Sequence, residues 1–93
     1  MKYRKKPVII EAVLVSDLLE KFKHNWRELP EWVKNAYEDM TINTITDNGF
    51  NIKTLEGNYA ATINDYLIKG VQGEIYPCKI EIFRQTYELV GEE

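Results

Sequence analysis

The side chains with chemical potential crowd into one stretch of this chain, residues 64–87, which reads NDYLIKGVQGEIYPCKIEIFRQTY. Within it the cations of Lys69, Lys79 and Arg84 are interspersed with the phenols of Tyr76 and Tyr87. Cations beside aromatic rings can stack a planar base and hold a phosphate or carboxylate, so these five residues form the candidate ligand- or partner-binding set. The same residues also fit a structural role in which Tyr76 and Tyr87 pack in the core and the cations are solvated.

Catalysis is short of parts. Cys78 is the sole cysteine and His24 the sole histidine; they lie far apart in sequence, so no base is placed beside a thiol nucleophile. Cys78, next to Pro77, reads as a buried structural residue. Asp65 and Glu74 stand across a turn and form a pair of carboxylates for acid and base roles, although such pairs are common in acidic domains. One Cys and one His supply no zinc ligand set, and no spacing resembles a calcium loop. The loop from Gly70 to Gly73 has neither a Gly-Lys-Ser/Thr sequence nor a long helix after it, so it is no phosphate cradle. The sequence is therefore that of a non-enzymatic protein, with no catalytic residue, no metal site and no cofactor expected.

Composition bounds the scaffold that must carry these groups. The chain has 93 residues, 44% hydrophobic and 29% charged, which predicts one domain over residues 1–93. Such a chain buries roughly 60 to 65% of its unfolded surface. A homo-oligomer that buries more apolar area is thus an expectation, and two Trp, six Tyr and three Phe provide aromatic material for a core and an interface. A net charge of −3 argues against an extended nucleic-acid-binding surface. The charge is uneven: Lys2, Arg4, Lys5 and Lys6 make the start basic, and Glu88, Glu92 and Glu93 make the end acidic. The basic arm either touches phosphates or guards an edge strand. No apolar run approaches the ~20 residues that span a bilayer, so no membrane association is expected. Residues 8–15 are apolar but broken by Glu11, and they lack a small-residue cleavage site. A lone cysteine excludes an intrachain disulfide and points to a reducing compartment, which predicts a cytoplasmic location.

The pattern of elements follows. Residues 7–15 are rich in β-branched side chains and predict a central strand. Ser16 and Asp17 offer N-cap groups, Asp17 and Glu20 have capping-box spacing, and a short helix is expected through about Lys23. Pro30 suits the first turn of a second helix, with Trp32, Val33, Ala36 and Tyr37 on a core-facing stripe and Met40 just beyond. Strands are then predicted at residues 41–46, 50–55, 58–63, 66–69 and 74–76, with Asp47-Asn48-Gly49 and Glu56-Gly57 as turns. Pro77 is expected to stop the ladder, residues 79–85 to form a helical turn or two, and residues 86–90 to extend. The fold class is α+β: an antiparallel sheet of about five to six short strands, ordered β-α-α-β meander-short α-β, with the helices packed on one side.

Both ends of the chain resemble a family of small proteins carried by tailed phages and prophages of Gram-positive bacteria. The family opens Met-Lys-Tyr-Arg-Lys-Lys-Pro-Val and closes on a Gly-Asp-Tyr-Ile-Ile-Lys-Gly-Val-Lys-Gly-Glu-Tyr-Pro-Cys-Lys-Pro-Asp-Ile-Phe-type sequence. Residues 1–8 and 65–87 match closely, and Leu29-Pro30-Glu31-Trp32-Val33 is also similar. Two departures stand out. Ile63-Asn64 replaces Pro-Gly, where Asn can hold a left-handed turn position, and Ile80-Glu81 replaces Pro-Asp at the start of the short helix. Because the family's activity is mostly unassigned, the resemblance brings no catalytic residue to this chain. It implies a counter-defence inhibitor that blocks a host antiviral protein, or a sponge that sequesters a nucleotide-derived immune signal within or between subunits. A virion or replication accessory role is the third possibility. The partner is accordingly a host defence protein or a nucleotide-derived signal.

Overall fold

Three threonines eight residues apart set the turns of the central meander. The computed structural model, which describes residues 1–91, shows the hydroxyls of Thr46, Thr54 and Thr62 each accepting a hydrogen bond from the amide two residues on, at 3.1, 3.1 and 3.2 Å. Each hydroxyl also donates to the residue three positions on: the carbonyls of Gly49 and Gly57 and the carboxylate of Asp65. A short side chain that bonds its own backbone competes with the ladder and ends the strand there. The strands so delimited are β2 (Ile42–Thr46), β3 (Gly49–Thr54), β4 (Gly57–Thr62) and β5 (Asp65–Lys69). At the first turn close approach demands glycine, because a Cβ on Gly49 would land on the Ala61 carbonyl oxygen.

Before the meander come β1 (Glu11–Leu14), α1 (Val15–His24), a 3-10 turn (Trp26–Glu28) and α2 (Glu31–Glu38); after it come β6 (Ile75–Lys79) and α3 (Ile80–Thr86). The described residues form two three-stranded antiparallel sheets, ordered β2-β3-β4 and β1-β5-β6. The α+β class therefore holds, but the single sheet of five to six strands divides in two. The division falls at the Thr62–Asp65 turn, where β4 and β5 pack without sharing a ladder.

Several local expectations change with it. The strand expected at residues 7–15 is four residues long and lies at a sheet edge, with β5 in the centre. Val15 already opens α1, Leu14 occupies the N-cap with no side-chain cap bond, and Asp17 instead sits in the first turn, where the helix dipole favours an acid. Pro77 does not stop the ladder. It lies inside β6 opposite Leu67, and an edge strand tolerates a residue that lacks an amide donor. Asn64 avoids the left-handed region, which among non-glycine described residues is occupied by Met40 and Thr44. Past Thr86, which still belongs to α3, the chain to residue 91 has no regular structure, so among the described residues the segment expected to extend at 86–90 joins no strand. Glu92 and Glu93 of the acidic end lie outside the described residues.

One core joins α1, α2 and both sheets through Val15, Leu18, Val33, Ile42, Ile52 and Leu67, all fully buried. Of the predicted α2 stripe, Val33 and Ala36 enter this core while Tyr37 is 42% exposed. The Tyr37 ring lies 5.6 Å from Phe22 and 5.2 Å from Trp26. Met40, in a left-handed conformation after the helix, is exposed. Ile68 is fully buried as well, yet it is not part of that cluster. Alternation along β5 turns it to the opposite face from Leu67, towards α3. The β1-β5-β6 sheet is thus covered on both faces, which corrects the expectation of helices on one side.

Candidate functional site

The face of the β1-β5-β6 sheet that carries Ile68 is built by register. Ala12 pairs with Ile68, Ile68 with Tyr76, and Tyr66 with Cys78; paired residues in an antiparallel ladder share a face. An apolar and phenolic surface results, and α3 folds back over it. The Ile80 amide donates to the Asn64 carbonyl at 3.0 Å and ties the start of the helix to the turn before β5. Phe83 then stacks on Tyr66 with ring centroids 3.9 Å apart and planes 20° from parallel. Four residues on, Tyr87 meets Phe83 at 5.0 Å. Helical spacing places positions four apart on one side, so Phe83 and Tyr87 both reach the sheet.

Electrostatics reflect the cover. Tyr76 is pushed up to about 12, first by burial and then by the neighbouring Tyr87 phenol. The Cys78 thiol is also pushed up, by burial and by the Asp65 carboxylate. A thiol held in its neutral form is a poor nucleophile. Asp65 is buried and accepts from the Thr62 amide at 2.8 Å. Its side chain therefore serves a turn.

Beside the aromatic stack runs a groove of about 530 Å³. Its floor is Ala12, Tyr66, Phe83 and Tyr87, one bank is residues 8–10, and the other carries Arg84 and residues 88–90. Apart from Arg84 and Glu88 the banks are apolar, and they are open: Ile9 is 74% exposed and Leu89 97%. Second and third grooves, of about 550 and 680 Å³, adjoin each other across Thr54, Leu55, Glu74 and Ile75 on the opposite side of the β3-β4 hairpin tip.

The five predicted site residues are dispersed among these features. Arg84 and Tyr87 line the aromatic groove, whereas Tyr76 lines the 550 Å³ groove with Tyr59. Lys69 and Lys79 fall on the other sheet face, opposite Ile75 and Asp65 at the two ends of the β5-β6 hairpin. Lys69 lines the 680 Å³ groove with Trp32 and Lys53 and is 3.7 Å from Glu11. Lys79 is exposed and lines none of the three grooves. The carboxylate pair Asp65 and Glu74 is likewise separated, since Asp65 begins β5 and Glu74 precedes β6 at the far end of the same hairpin. Glu74 accepts from the Gln72 amide at 3.0 Å, so it too serves a turn.

Tyr66 and Phe83 escaped the sequence reasoning although they form the centre of the groove. Their signals were present: Tyr66 stands two residues from Ile68 on one strand face, and Phe83 stands four before Tyr87. Among the described residues no cluster of three or more His, Cys, Asp or Glu could hold a metal ion, and no helix is long and apolar enough to cross a membrane. Comparison with protein-family models, with curated proteins and with solved structures returned no match.

Proposed function

We propose that this chain is a non-enzymatic binding protein, encoded by a phage or prophage, that blocks a host antiviral protein by seating it in the aromatic groove. The carrying observation is the groove itself: stacked Tyr66 and Phe83 with Tyr87 at the floor, Arg84 at the rim, and exposed Ile9 and Leu89 on the banks. Aromatic and Arg side chains dominate interface energetics, and a contiguous exposed apolar surface marks an interaction site. A net charge of −3 suits a basic target surface. Phage origin rests on the resemblance of residues 1–8 and 65–87, and an expected cytoplasmic location in the host follows from the same premise. Affinity capture from infected host lysate tests the proposal: the natural chain should retain one host protein at modest salt, and Arg84→Ala with Tyr87→Ala should lose it. Retention of nothing, or equal retention by the double variant, sinks it.

A nucleotide sponge is favoured by one observation of its own, the convergence of Trp32, Lys53 and Lys69 on the 680 Å³ groove. It predicts a thermal shift with cyclic or ADP-ribose-type nucleotides that Lys69→Ala abolishes. The absence of any shift across a broad nucleotide panel would leave that reading without support. Detection of the chain in purified phage particles would instead favour the virion role.

A further inference from the structure

Strand β1 is paired on one side alone. It bonds β5 through Glu11 to Leu14, and among the described residues no other strand or loop satisfies its outer edge. Residues 7–10, Pro-Val-Ile-Ile, run into that edge without regular structure, with Val8 44% and Ile9 74% exposed. An apolar, unpaired edge is a template for another strand. The residues themselves specify which strand fits.

We propose that the edge is closed by a second copy of this chain, through antiparallel pairing of residues 5–11 with residues 5–11 of the other copy about a two-fold axis at Val8. A two-fold axis normal to a continuous sheet pairs odd positions with odd and even with even, because opposite residues share a face. The possible registers are then few. The registers differ in what faces Glu11: centred on Glu11, the pairing sets two carboxylates against each other; centred on Ile9 or Ile10, it sets Glu11 against Pro7 or Ile9. Centred on Pro7, it faces Glu11 with Tyr3. Centred on Val8, it places Lys5 opposite Glu11 of the second copy, twice by symmetry. Glu11 already faces Lys69 across β5, 3.7 Å away, so the carboxylate would stand between two cations in one cross-strand row.

Charge complementarity thus selects one register and one occupant from the same seven residues. It also gives the basic start of the chain a role: Lys5 pairs, and Arg4 of the second copy comes opposite Ala12, on the floor of the aromatic groove. Each groove would then be completed by the other copy's arm. The dimer stands independently of the proposed host target, since its detection needs no partner.

Sedimentation of the full chain at concentrations up to about 100 μM provides the test. The natural chain should be a dimer. Lys5→Glu and Glu11→Lys each set like charges opposite at two places, and each should weaken the dimer about tenfold or more. Their equimolar mixture should restore it as a heterodimer, because the two carboxylates of the first variant then face the two ammonium groups of the second at both symmetric positions. Circular dichroism of the variants checks that both fold. A natural chain that stays monomeric, single variants that dimerise like it, or a mixture no tighter than either variant alone would each overturn the proposal.

Discussion

Phe83 is the residue through which α3 covers the Ile68 face of the β1-β5-β6 sheet, and its contribution can be worked from the geometry. Its ring lies 3.9 Å from that of Tyr66, nearly parallel, and 5.0 Å from Tyr87. Truncating a fully buried Phe to Ala costs about 3 to 5 kcal/mol. Phe83 is half-buried, so about 2 kcal/mol is expected for Phe83→Ala. An aromatic pair contributes about 0.5 to 1.5 kcal/mol beyond its buried area. A double-mutant cycle with Tyr66→Leu and Phe83→Leu should therefore show a coupling near 1 kcal/mol, large enough to resolve against the usual additivity error of about 0.3 to 0.5 kcal/mol. The neighbouring Ile82 is 53% exposed, and Ile82→Ala should cost less than about 0.5 kcal/mol. Urea denaturation followed by far-ultraviolet circular dichroism measures all of these, with unchanged slopes confirming a common two-state transition. A coupling indistinguishable from zero, or Ile82→Ala costing as much as Phe83→Ala, would refute the reading that α3 covers the sheet through Phe83.

Three further outcomes follow from single residues. Gly49→Ala should destabilise by at least about 2 kcal/mol in the same denaturation assay, because the added methyl meets backbone at Ala61 that cannot swing away; a loss under about 0.5 kcal/mol would contradict it. Tyr76 is raised from its ordinary value near 10 to about 12, so the folded state holds the proton more tightly. Its contribution is complete below pH 10 and is lost as pH rises towards 12. Two units correspond to at most about 2.7 kcal/mol, and partial exposure reduces this to about 1 to 2 kcal/mol; Tyr76→Phe should flatten that part of the stability profile, and an unaltered profile would count against it. Cys78, with its thiol pushed up by burial and the Asp65 carboxylate, should alkylate at pH 8 more slowly than a solvent-exposed cysteine peptide. Equal rates would show the thiol to be open.

Turn chemistry was the part of the fold most legible in the sequence. Asp47-Asn48-Gly49 and Glu56-Gly57 lie where the meander reverses, and the Leu29-Pro30-Glu31 start of α2 matches the structure. What alternation does not encode is which strands share a ladder. Residues 58–63 and 66–69 read as consecutive members of one sheet, yet the Thr62 and Asp65 side chains hold each other across the turn and send β5 to a different partner. Residues 7–15 read as one long strand because β-branched propensity continues through Val15, whereas burial of Val15 and Leu18 on one helical face decides in favour of α1. The candidate site residues are separated by the fold. Arg84 and Tyr87 meet at one groove, but Lys69 and Lys79 leave it because odd and even positions of a β-hairpin face apart, and the register that sorts them is invisible in a single strand.

The place of β1 in its sheet also sets an order of events in folding. Strands β2 to β6 pair with chain neighbours through short turns, which close in roughly microseconds. β1 instead docks on β5 across more than fifty residues of chain, Ala12 meeting Ile68. A contact of such long range carries a large loop-closure entropy and is expected to form after the hairpins. Val13→Ala should accordingly speed unfolding while leaving the folding arm of a chevron nearly unchanged, and a slowed folding arm would reverse that order. Until β1 arrives, the inner edge of β5 is open to any strand of the same sequence. β1 is then the last of the six described strands to find its place, and in a crowded folding reaction that interval is when two chains can exchange it.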